Sequence, residues 1–86
     1  MHSIDELIRD VVEIKNDSQE LANVTAAAGR SLQDKSNQIA AIVRGSASGQ
    51  EAVMSVSVAA RSLSQAAASM LTLSRICDSC IAELSK

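Results

Sequence analysis

The sequence predicts an all-α antiparallel two-helix hairpin that pairs into a four-helix bundle. Three observations predict it. The 86 residues contain no proline. Apolar residues recur every three and four positions along two long segments, the spacing of one face of a helix. Two of the three glycines, together with a run of serines, sit at the midpoint in IVRGSASGQE, residues 42–51.

The first helix opens at SIDE. Ser3 is the expected N-cap, with Glu6 three residues later as the partner of a capping box. Counting sevens from Ile4, the a positions are Ile4, Val11, Ser18, Thr25, Leu32 and Ile39. The d positions are Leu7, Ile14, Leu21, Ala28, Lys35 and Ile42. Lys35 is the one charge among them, and its long stem can bury while the amine reaches water. About six heptads of this kind predict coiled-coil-like packing. Gly29, in TAAAGRS, lacks a following cap and reads as an in-helix glycine, at a kink or a close-packing site.

Arg44 then Gly45 reads as a basic last turn and a C′ glycine. SGQE repeats the capping pattern with Ser48 and Glu51. The expected organisation is therefore a single unit, 1–86, with a helix at 4–44, a turn at 45–48 and a helix at 49–84. Val43, Arg44, Gly45, Ser48 and Gly49 form the hinge. A continuous helix through GSASG is the alternative, since each internal glycine costs only about 1 kcal/mol. A short turn folds the helices back antiparallel.

In the second helix the expected seam is Ala52, Val56, Ala59, Leu63, Ala66, Met70, Leu73, Cys77, Cys80 and Leu84, with no charge on it. Leu21, Leu32, Ile39, Ile42, Val56, Leu63, Met70, Leu73, Cys77 and Cys80 are the residues expected to carry seam and interface packing. Further apolar residues stand beside the seam: Ile8, Val12, Ala22, Val24 and Val43 in helix one, and Val53, Met54, Val58, Ala60, Ala67, Ile76 and Ile81 in helix two. A solvated helix face carries more charge than this. An apolar surface of that size marks an interaction site, so a helical protein partner is expected, as homodimer or heterodimer.

Composition removes several function classes. Phe, Tyr and Trp are absent, so there are no stacking platforms for bases. The net charge of −2 gives no electrostatic reason to expect nucleic acid. The longest uncharged run, Ser62 to Ser74, is too short and serine-rich to span a bilayer. MHSIDELIRD has no basic start or apolar core and does not read as a secretory signal. The expected location is the cytoplasm, or export without a signal peptide.

The most chemical-looking motif is CDSC, Cys77 to Cys80. A redox pair belongs at a helix N-terminus, where the dipole lowers the thiol pKa; this one lies near a helix end. A zinc site needs further ligands, and His2 is the other candidate. As seam residues both cysteines behave as small hydrophobes. No phosphate loop and no Ser/His/acid set is present, so neither catalysis nor a cofactor is expected.

Two helices of about forty residues, a central glycine turn and Val43-Arg44-Gly45 at that turn resemble the WXG100 (ESAT-6-like) family of type VII secretion, whose turn carries Trp-x-Gly. GSASGQEA is similar to the small-residue run that opens that family's second helix. Val43 stands in the place of the tryptophan, and the family's tyrosine-containing export motif has no counterpart. The resemblance implies a secretion-associated adaptor, targeting partner or small substrate, dimerising as a four-helix bundle. As partner the resemblance implies a larger LXG-type toxin with a helical N-terminal domain. Two alternatives come from other classes. The Ala/Ser-rich stretch 36–67 looks like chemoreceptor signalling helices, without their glutamate- and aromatic-containing tip. The hairpin length is similar to type III secretion components, without their proline turn.

Overall fold

The computed structural model describes residues 3–86 as two long helices folded back on each other: α1, Ile4–Ile42, and α2, Ala47–Leu84. At 1.5 Å per residue each is just under 60 Å long, and the hairpin measures 62 × 20 × 13 Å. Nothing along either segment interrupts the backbone ladder, because proline is absent and Gly29 is accommodated inside α1.

Ser3 caps α1 in extended backbone geometry, its Oγ accepting from the Glu6 N–H at 3.2 Å. Asp5 and Glu6 lie in the first turn, where negative charge meets the positive end of the helix dipole.

The turn has the expected four residues but comes two residues earlier, at 43–46. α1 ends at Ile42, with the Val43 N–H closing on the Ile39 carbonyl, so Arg44 lies in the turn and not in a basic last turn. Gly45 takes φ +87°, the left-handed conformation that glycine adopts without strain. The Ser46 N–H donates to the Val43 carbonyl at 3.0 Å, and Ser46, not Ser48, is the N-cap of α2. Its Oγ accepts from the Gly49 N–H at 3.2 Å. Ser48 and Glu51 are thereby inside α2, which starts at Ala47 and not at 49. Gly49 lies against the Val43 side chain: a Cβ there would stand 2.5 Å from Val43 Cβ. This contact between the C-cap residue of α1 and the first turn of α2 closes the hairpin.

A Cβ on Gly45 would touch nothing within 4 Å, so only its backbone conformation restricts it. Gly45→Ala is expected to lower stability by about 1–2 kcal/mol, the cost of the left-handed region for an L-residue. Thermal unfolding followed by circular dichroism measures this, and an unchanged midpoint would mean the turn relaxes to another conformation.

The core consists of small residues. Ala22, Gly29, Ser18 and Ser36 are buried in α1, and Ala60, Ala67, Ser74 and Cys77 in α2. In heptad terms the seam of α1 is formed by the a row and the e row (Ile8, Lys15, Ala22, Gly29, Ser36, Val43), not by a and d. In α2 it is formed by Val56, Leu63, Met70, Cys77 and Leu84 with the row Val53, Ala60, Ala67, Ser74 and Ile81. In both helices one expected row is in place and the other is displaced by one residue; in α1 the shift is toward smaller side chains, from Leu21, Ala28 and Lys35 to Ala22, Gly29 and Ser36.

Candidate interaction face

The one-residue displacement follows from how closely two helices can approach. A row of Ala, Gly and Ser repeated every seven residues lets backbone meet backbone, and dispersion contacts accumulate along the length. At Gly29 a Cβ would lie 3.2 Å from the Ala60 carbonyl oxygen and 3.4 Å from both Leu63 Cβ and Ser64 Oγ. Gly29 is therefore a close-packing site.

The buried hydroxyls are compatible with this proximity because they find partners. Ser18 Oγ donates to the Ile14 carbonyl at 2.7 Å. Ser36 Oγ lies 3.3 Å from the Val53 carbonyl and 3.1 Å from Ser57 Oγ. Among the described residues no buried side-chain nitrogen or oxygen is left without a partner.

Three contacts give the hairpin two distinguishable broad sides. Ser36 meets Ser57, and Lys15 pairs with Asp78 at 2.6 Å; these join the e row of α1 to the residues just beyond the small row of α2. Thr25 meets Met70 at 3.9 Å, joining the two a rows. The e rows thus lie toward one side and the a rows toward the other. The d rows, which flank the a rows on each helix, share that second side.

The first side is mixed and polar. It holds two open, shallow grooves: one of about 280 Å³ lined by Ala40, Val43, Arg44, Gln50, Val53 and Met54, and one of about 190 Å³ lined by Gly29, Arg30, Gln33, Ala60, Arg61 and Ser64. Neither lining contains a carboxylate, thiol or imidazole.

The second side is the apolar one. Ile4, Leu7, Ile14, Leu21, Ile39 and Ile42 of α1 and Leu73 of α2 are all exposed there, Ile42 by 81% and Leu21 by 53%. Lys35 is the one charge in the a and d rows of either helix. The residues expected at seam and interface therefore fall into two sets. Leu32, Val56, Leu63 and Met70 are half-buried between the helices, with Cys77 fully so. Leu21, Ile39, Ile42 and Leu73 are on the outer face, and Cys80 is half-buried at its edge. Ala22, Ala60 and Ala67, expected beside the seam, are its centre. The sequence signal for them was the seven-residue repeat of small side chains, Ala22-Gly29-Ser36 and Ala60-Ala67-Ser74.

Cys77 and Cys80 are free thiols. Among the described residues no group of three or more His, Cys, Asp or Glu is placed to hold a metal ion; His2 lies outside the described residues. No helix is long and apolar enough to cross a membrane, among the same residues. Compared with protein-family models, curated proteins and solved structures, the chain has no match.

Proposed function

We propose that this hairpin is a protein-binding module that docks a helical partner on the a/d face, completing a four-helix bundle. One observation carries the reading: α1 turns Ala22, Gly29 and Ser36 into the seam and leaves Leu7, Ile14, Leu21 and Ile42 outside. A protein that folded only for itself would bury that row, since each large aliphatic side chain contributes about 1.5–3 kcal/mol on burial. The broad faces of the hairpin extend over 62 × 20 Å. A partner covering one would bury more than the roughly 800 Å² per side of a standard interface. The setting we infer is secretion: an adaptor, targeting partner or small substrate of a type VII-like system. Its support is the hairpin architecture and the glycine turn at Gly45, and binding to the face would form the composite surface presented to the export machinery.

The test is capture of the tagged chain from its source cells in three forms: the native sequence, Leu73→Asp, and Gln19→Asp on the opposite side. The native chain and Gln19→Asp are expected to retain the same helical protein or a second copy of the chain, and Leu73→Asp to lose it. Equal retention by Leu73→Asp would place binding elsewhere and end this reading.

A further inference from the structure

We infer that the occupant of the apolar face is a second copy of this chain, docked with its turn at the opposite end. The inference rests on the docking reading above and adds the partner's identity and direction. A face can pack on its own copy across a two-fold axis in only two ways. With the axis along the hairpin, both turns lie at one end and α1 faces α2 of the other copy. With the axis across it, the turns lie at opposite ends and each helix faces its own counterpart.

Charge separates the two. The open half of the hairpin, residues 3–24 and 67–86, has eight acids and four bases, a net −4. The turn half, residues 25–66, has four bases and two acids, a net +2; together these give the chain's −2. The turn-to-turn arrangement sets −4 beside −4. The end-swapped arrangement sets −4 beside +2, the complementarity that orients association.

Side-chain size gives the same answer independently. The contacts Thr25–Met70 and Ser36–Ser57 put Leu21 level with Leu73 and Ala28 level with Ala66. The turn-to-turn dimer would therefore stack leucine on leucine and alanine on alanine, leaving one layer crowded and the next hollow. In the end-swapped dimer the heptad row of α1 pairs 7 with 42, 14 with 35 and 21 with 28. The row of α2 pairs 66 with 73 and 59 with 80, since the same axis must cross both helices at one level. Leu21 then meets Ala28 and Leu73 meets Ala66, the large-against-small layering of a filled core. Lys35 arrives beside Ile14 of the other copy, between Asp10 and Asp17, which flank Ile14 at the outer edge of the face. The single charge in the a and d rows thereby meets two carboxylates.

Sedimentation of the purified chain up to about 1 mM, where even weak association is visible, tests the copy. The expected mass is twice 9.0 kDa. Lys35→Glu is expected to weaken the dimer at least about tenfold. Asp10→Lys with Asp17→Lys should do the same, and all three substitutions together should restore it. Spin labels at Ser48→Cys, with Cys77→Ala and Cys80→Ala, report direction: the end-swapped dimer puts them about 60 Å apart, from the rise per residue. A short label distance, or a dimer indifferent to Lys35→Glu, overturns the inference. A monomer at every concentration also overturns it, while the docking reading is then decided separately by the Leu73→Asp capture.

Discussion

Gly29→Leu is expected to force the two helices apart at their midpoint. A Cβ at this position already meets the Ala60 carbonyl oxygen at 3.2 Å, and that oxygen is backbone, held in the α2 ladder. The rest of a leucine has nowhere to go without separating the helix axes over the turns around Ala22, Ser36, Ala60 and Ala67, where the contact is closest. Overpacking of this kind costs about 1–3 kcal/mol, and the upper end applies because the neighbour cannot rotate away. The gain in helix propensity on removing glycine, about 1 kcal/mol, offsets only part of it. For a chain of this size the net loss corresponds to a fall of roughly 5–15 °C in the unfolding midpoint. Circular dichroism with heating measures it. A midpoint equal to or above that of the native chain would show that the helices do not approach each other at Gly29.

Leu21→Asp is expected to do the reverse: leave the hairpin and abolish its association. Leu21 is 53% exposed and lies outside the seam, so the charge is solvated in the isolated hairpin. In the proposed dimer the substitution acts twice, once per copy. Each loses about 1.5–3 kcal/mol of leucine burial, which at 1.4 kcal/mol per tenfold weakens assembly by at least about 100-fold. Sedimentation gives the mass and far-ultraviolet circular dichroism the helix content. Loss of helix content along with association would assign Leu21 to the fold instead of the face. Unchanged association would remove Leu21 from the contact.

The contrast between these two substitutions reflects what was legible in the chain. Ser3 and its cap, the two helices, and the need for glycine at 45 followed from local rules, because capping, helix continuity and a left-handed turn depend on a few neighbouring residues. Local rules failed at Ser48. Its capping box with Glu51 is a full pattern in sequence, yet Ser46 is the cap, and Gly49 packs on Val43 across the turn.

The seam shows the same division at larger scale. Periodicity predicted a seam on each helix; of the residues it named, Leu32, Val56, Leu63 and Met70 are half-buried and Cys77 is buried. It assigned the second row by hydrophobicity, which favours Leu21 and Ile42 over Ala22 and Val43. Hydrophobic periodicity measures what a face would gain by leaving water, not how near two backbones can come. Only the packed pair decides that, and in α1 the small row wins because Gly29 lets the backbone at Ala60 approach, which the leucine row would prevent. Local rules and periodicity specify a helical hairpin with more apolar surface than one seam can use. The tertiary structure decided which row closes the hairpin and which is left outside, because the choice depends on the distance between two helix axes, a quantity that neither helix encodes alone.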